Sequence, residues 1–413
     1  MFRTDLAMES AQGTAVPGVT IDKQHREMLE QTRVHVSDEQ GAQRLGKPVG
    51  VYITEQWSDF VLKDSRQRDR AAELMAQTLG ELLAQTQGKP GARTPGQREQ
   101  DEQRPWTLGK QRPQAADPQT AGEVLSRVLE NRQGEGNHVL VVGLGNRHIT
   151  ADALGPRVVE KLLVTRHIHM AYPGELDGRF CTVSAIAPGV MGETGVETAE
   201  VVRALVGSLQ PDVVICVDSL ASRRTVRIAC TLQMTDAGLQ PGAGLGNRRA
   251  VLNQEHLGVP VIAIGVPMVV YAATICQDAA EAMAQSIQKN RVGNAQSHAE
   301  NPHARDGNPQ TDDENAQAGK ISALGCEGKV QGRETSALGC KKTPQAAHLP
   351  SREWLEELPR EVAETAQSAF GDLVVTPKEI DSIIEDAATL VADCINLTLH
   401  RGVTLDQLHS MVM

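Results

Sequence analysis

Val139-Leu-Val-Val-Gly-Leu-Gly-Asn146, continued by Thr150-Ala-Asp152-Ala-Leu-Gly-Pro-Arg-Val-Val159, and Val213-Val-Ile-Cys-Val-Asp218-Ser-Leu220 decide how this chain folds. Each opens with an aliphatic run that reads as a buried strand, and each delivers an acid to the carboxyl end of that run or just past it. In open α/β sheets, ligands bind outside the carboxyl ends of the strands. Two carboxylates brought together there can activate water, because burial and mutual repulsion push their pKa values apart.

Working outward, residues 122–288 alternate apolar runs with helical stretches. This is the sign of βα units, and it predicts an α/β fold with a mostly parallel sheet flanked by helices. The predicted strands are 138–142, 181–186, 213–217, 226–233 and 259–265, with helices at about 152–164, 196–208 and 278–288. Residues 1–85 form an N-terminal part of the same catalytic domain. They contribute a strand over Lys47–Thr54 and a helix over Arg70–Leu83, whose Ala71, Leu74, Met75, Leu79 and Leu82 share one stripe.

Two polar, low-complexity stretches, 86–121 and 289–350, bury too little apolar surface to order themselves and read as solvated inserts. The second repeats Ser322-Ala-Leu-Gly-Cys326 as Ser336-Ala-Leu-Gly-Cys340, and a metal or redox role for these cysteines has little sequence support. Residues 351–413 complete the domain with helices. There Thr376-Pro377-Lys-Glu379 has the form of a capping box, ahead of an apolar stripe of Ile380, Ile383, Ile384, Ala387, Val391, Cys394 and Ile395.

Of 413 residues, 40% are hydrophobic but only 2% aromatic, so the core is aliphatic, as suits a buried sheet. The net charge of -11 argues against a nucleic-acid binder, which needs basic faces. Seven scattered cysteines form no CxxC pair and no disulfide framework. No apolar run approaches ~18 residues and no signal peptide opens the chain, so a soluble, intracellular protein without membrane contact is expected.

Gly143-Leu-Gly145-Asn146 lacks the third glycine and the later acid of a dinucleotide fingerprint, so no cofactor is expected there. A tight turn letting the backbone approach a substrate peptide is the better use. Asp152, taken alone, reads as a helix cap or first-turn acid, and Asp218 as a cap for the next element of the chain. Taken together, at two strand edges of one α/β domain, they read as a catalytic pair. Glycine-rich loops flank them: Ala187–Thr198, with Gly189, Gly192 and Gly195, and Thr235–Arg249. Such loops shape pockets and present backbone groups to extended peptides. Arg223, Arg224, Arg248 and Arg249 either steer acidic substrate residues or solvate the surface.

The chain resembles the germination proteases, spore endopeptidases that degrade small acid-soluble spore proteins. The matching pieces are Arg3–Ala7, Gly143–Asn146 with Thr150–Val159, Ala187–Gly192, Ile215–Ala221, Pro241–Arg248, Pro260–Pro267 and Val375–Asp381. They run in order and skip only the two inserts.

The resemblance implies an atypical aspartic peptidase whose essential aspartates match Asp152 and Asp218, with no metal and no cofactor. It also implies a fold like that of the hydrogenase-maturation endopeptidases, a homotetramer in the cytoplasm of the forespore and spore core, and a zymogen autoprocessed near its N-terminus. Thr4-Asp5-Leu6-Ala7 is similar to the family's substrate sites, where cleavage follows a glutamate. Autoprocessing between Asp5 and Leu6 is therefore expected. Only Met1 and Phe2 precede the motif, where the family carries a longer propeptide, so a start further upstream or a loss of zymogen control is expected.

For transition-state stabilisation the candidates are Asn146 and the backbone N–H groups of Gly189–Gly195. Two alternatives stand beside this reading. One is a metal-assisted peptidase in which His148 or His256 joins the acids, and the other is a spore-protein-binding homologue without catalysis.

Overall fold

A computed structural model describes residues 4–11, 16–58, 60–87, 138–172, 174–242, 249–299 and 351–412. Residues Met1–Asp278 with Ala363–Met413 cluster as one compact unit, and Ala279–Val362 as a second whose described parts are helical. Most of both expected inserts lies outside the described residues. The helix expected at 278–288 spans Ala272–Ala299, so it runs into the stretch read as the second insert. The Cys326 and Cys340 repeat also falls outside the described residues.

The first unit is built on a nine-stranded sheet. Its strands are β1 (Val19–Arg26), β2 (Leu29–Val36), β3 (Gly50–Gln56), β4 (His138–Gly143), β5 (Thr182–Ile186), β6 (Val213–Ser222), β7 (Thr231–Thr235), β8 (Val261–Tyr271) and β9 (Val374–Val375). They lie in the order β1-β2-β3-β7-β8-β6-β4-β5, with β9 on β8. The stretch β8-β6-β4-β5 is parallel, whereas β1, β2, β3, β7 and β8 pair antiparallel in turn. The α/β class with flanking helices holds, but the sheet is mixed, its parallel half confined to the strands that sequence periodicity identifies.

Because successive side chains of a strand point to opposite faces, the parallel strands feed two cores. Val139, Val141, Val213, Ile215 and Val217 pack on one face against α1 (Ser65–Gln87) and α4 (Ile380–Leu399). Leu140, Val142, Val214 and Cys216 pack on the other against Val202 and Val206 of α3 (Thr198–Leu209). A helix over Leu154–Glu160, labelled α2, joins the first core through Leu154 and Val158.

Residues Leu6, Ala7 and Met8 add a third cluster over β2 and β3, with Val34, Val36 and Tyr52. Buried Glu9 locks this N-terminal segment down through Arg227 Nη1 (2.5 Å) and the Arg223 N–H (2.7 Å). The expected capping box at Thr376 does not form. Its hydroxyl donates instead to the Met268 carbonyl (3.0 Å), and α4 starts from Glu379.

Candidate active site

β4 and β6 run parallel, and their last paired residues are Gly143 and Val217. Leu144 N–H still donates to Val217 O (2.8 Å), and there β4 turns away. Asp218 is the next residue of β6. The strand does not stop at Val217 as expected; it continues beside β8 to Ser222, with a register shift after Leu220. Asp218 is the first β6 residue past the end of its neighbour β4, and its Oδ1 accepts only its own neighbour's N–H, from Ser219 (2.9 Å), among the bonds described. It caps no helix.

The turn after β4 brings in the second acid. A Cβ on Gly143 would lie 2.2 Å from Gly155 O, and one on Gly155 would lie 2.3 Å from both Leu144 N and Leu144 O. Gly145, at φ +111°, lies against the Asp152 carbonyl. Glycines here let the turn and the start of α2 meet backbone to backbone. Asp152 closes a single 3-10 turn, Thr150–Asp152, and does not cap α2, whose N-cap is Ala153. Its Oδ2 accepts the Asn146 N–H (2.8 Å), and Asn146 Oδ1 accepts the His148 N–H (2.8 Å). Asn146 therefore orients Asp152, and its N–H is engaged in doing so.

Burial raises the pKa of both carboxyls above the ordinary carboxylate range. For Asp218, 8% exposed, the rise is large, and the charges of Asp152 and then Asp5 add to it. Asp152 is half-buried. The Asn146 N–H and Arg249 hold its pKa down, against burial and Glu193. Glu193 belongs to the loop carrying Gly189, Gly192 and Gly195, and its Oε1 stands 3.8 Å from His148 Nε2. That loop thus flanks Asp152, with the Gly195 N–H donating to Met191 O (2.8 Å).

A cavity of about 200 Å³ opens beside Asp218, lined among others by Asp5, Lys47, Tyr52, Leu220 and Gln233. Gln233 and Asp218 both pair with Gly265, so the two side chains project from the same face of the sheet. The N-terminal segment forms one wall. Asp5 N–H donates to Ala221 O (3.0 Å), Asp5 Oδ2 accepts the Ala221 N–H (2.8 Å), and Leu6 is fully buried.

Sequence reading missed Lys47 and Gln233 as site residues, since neither lies in a motif and only the β3–β7–β8 pairing brings them here. Arg248 falls outside the described residues. Arg223 Nη1 donates to the Glu9 carbonyl oxygen (3.4 Å) and Arg224 pairs with Asp278, whereas Arg249 acts on both acids. Among the described residues no group of three or more His, Cys, Asp or Glu side chains converges as a metal site, and His256 Nδ1 faces Asn253 Oδ1 (2.6 Å).

A family model described as germination protease matches residues 112–340. The germination protease of Caldanaerobacter subterraneus subsp. tengcongensis is 32% identical over 416 residues, covering 100% of this chain and 98% of its own. That of Bacillus subtilis is 31% identical over 418 residues, covering 98% of this chain and 95% of its own. The chain belongs to the germination protease family. Membership makes it a peptidase. Among solved structures, a [NiFe] hydrogenase maturation protease HycI from Thermococcus kodakarensis matches 35% of this chain and 81% of its own, at 17% identity. Its TM-score is 0.21, too low to carry an argument. No described helix is long and apolar enough to cross a membrane.

The raised pKa of Asp218 has a consequence for stability. The folded state holds this proton more tightly than the unfolded chain does. The stability it contributes is fully present below the ordinary carboxylate range and is lost as pH rises through the folded value. Asp218→Asn removes that loss. The variant is expected to melt above the parent near pH 7.5. The difference should vanish in acid, and thermal melts across pH read it directly.

Proposed function

We propose that this germination-protease relative is an endopeptidase that cuts small acid-soluble spore proteins at germination, with Asp152 and Asp218 activating the attacking water. The observation that carries the mechanism is that both acids follow the carboxyl end of the β4–β6 pairing and that Asp218 feels the charge of Asp152, one acid sheltered and the other held by an N–H and a nearby arginine. Asp152 is the ionised partner and takes a proton from water as oxygen attacks the peptide carbonyl. Asp218 is the protonated partner and gives its proton to the leaving nitrogen as the C–N bond breaks. The pair then exchanges one proton with solvent to reset, and it titrates as a coupled unit.

The spore substrate, the homotetramer and residence in the cytoplasm of the forespore and spore core come with the family resemblance. Autoprocessing between Asp5 and Leu6 belongs to the same reading. Intact-mass analysis of the incubated full chain should show loss of residues 1–5 in the parent and retention in Asp218→Asn.

The deciding experiment is cleavage of a short peptide carrying Thr-Glu-Ile-Ala, with and without EDTA. Cutting after the glutamate that is indifferent to EDTA and lost in Asp152→Asn and Asp218→Asn is the expected result. Loss on EDTA would move the acids to a metal-holding role. If both variants cut at the parent rate, the dyad assignment is wrong.

A further inference from the structure

The chain's own Thr4–Ala7 segment lies along the cavity that Asp218 lines, and it is held mainly through its backbone. Asp5 N–H donates to Ala221 O (3.0 Å). The Asp5 carbonyl oxygen accepts from two donors, Lys47 Nζ (3.0 Å) and Gln233 Nε2 (3.1 Å). Ala7 N–H donates to Gln233 Oε1 (2.7 Å). One Gln233 amide therefore reads the C=O of one residue and the N–H of the residue two further on, as a neighbouring strand does for a bound peptide. Any extended peptide offers those same groups, whatever its side chains.

Lys47 supplies the second observation. Its ammonium is turned inward, burial pushes its pKa below the usual lysine range against the opposing charges of Asp5 and Glu9, and its described hydrogen bonds go to two peptide oxygens, Thr4 O (2.8 Å) and Asp5 O (3.0 Å). Withdrawing a cation from water is costly, and a neutral donor suffices to anchor a chain end. An ammonium and an amide N–H converging on one peptide oxygen have a different use. They stabilise the charge that grows on a carbonyl under attack, for which donors stand about 2.7–3.1 Å from the oxygen. Gln233 also shares a sheet face with Asp218 across Gly265, so the two donors and the acid line one cavity.

The geometry points to Lys47 Nζ and Gln233 Nε2 as the catalytic donors that hold the scissile carbonyl oxygen of a substrate, with Thr4–Ala7 lying where that substrate binds. This rests on the reading of Asp218 as the proton donor. Water's oxygen bonds to the carbonyl carbon as its proton passes to Asp152, while the carbonyl's π pair moves onto the oxygen between Lys47 and Gln233. That pair returns as the C–N bond breaks and Asp218 protonates the nitrogen. Substrate enters as the N-terminal segment leaves.

The test is steady-state cleavage of the same Thr-Glu-Ile-Ala peptide by the full chain and by Lys47→Met, Gln233→Glu and Asp218→Asn. The two donor variants are expected to lower kcat by roughly 10²–10³-fold with KM changed far less, and Lys47→Arg should restore part of the loss. A role confined to anchoring the segment would lower the melting temperature and leave kcat unchanged. Gln233→Glu keeps an acceptor for Ala7 N–H but adds a charge beside Asp218, so Gln233→Met, which removes the donor to Asp5 O without a charge, is measured beside it and decides the matter if Lys47→Met fails to fold. Donor variants with parental kcat, beside an inactive Asp218→Asn, overturn the inference and leave the dyad standing. An Asp218→Asn that cuts at the parent rate sinks both.

Discussion

Asp152→Asn and Asp218→Asn are each expected to lower kcat for peptide cleavage by roughly 10³-fold, near the middle of the range for a positioned general acid or base. Asparagine keeps the shape of the side chain but neither takes nor gives the proton. Peptide binding should survive, because the hydrogen bonds described for the two acids go to the Ser219 and Asn146 N–H groups and not to the Thr4–Ala7 segment. The double variant should be little worse than either single one, since residues acting as one unit lose their effect together.

The pH profile of kcat carries the assignment of roles. The proposed mechanism needs Asp152 ionised and Asp218 protonated, and it gives a bell-shaped profile. Its acid limb follows Asp152, which burial moves above the ordinary carboxylate range, and its alkaline limb follows Asp218, which stands well above it. Arg249 lowers both. Arg249→Gln should therefore move both limbs to higher pH. A profile unmoved by that change would remove Arg249 from the site's electrostatics, and a bell whose alkaline limb persists in Asp218→Asn would assign that limb to another group.

The parts of the fold that sequence periodicity revealed are those whose burial is two-sided. β4 and the first half of β6 are aliphatic runs because helices cover both faces. The hairpin of β1 and β2 passed unread, as β1 is exposed along Thr20–His25 and its turn is Glu27-Met28, with Glu27 at φ +53° and no Asn-Gly signal. β6 continued through Ser219–Ser222 because pairing with β8, not apolar character, holds it there. The two acids were legible from their strands. The donors beside them were not, since Lys47 precedes β3 and Gln233 lies in β7, and nothing local marks their meeting.

Gly155→Ala is expected to destabilise the protein by at least about 3 kcal/mol, the upper range for overpacking a rigid contact. Helix propensity alone predicts the opposite, because Gly155 sits within α2 without a positive φ, and alanine there gains up to ~1 kcal/mol. Two effects of opposite sign compete, and distances decide between them. The added Cβ would stand 2.3 Å from Leu144 N and O and 2.6 Å from Val217 O, all backbone atoms. Two of them, Leu144 N and Val217 O, are joined by the hydrogen bond that closes the turn at the end of β4. No flexible side chain is there to yield, so α2 must move away from β4, and Asp152 moves with it. Cleavage should fall together with stability. Gly207 supplies the control: it lies in α3, and a Cβ there meets nothing within 4 Å. Gly207→Ala should stabilise by roughly 0.5–1 kcal/mol and leave cleavage unchanged. Denaturant midpoints of the two variants separate the effects. If Gly155→Ala gained stability as Gly207→Ala does, the close approach of turn and helix that carries Asp152 to the site would be refuted.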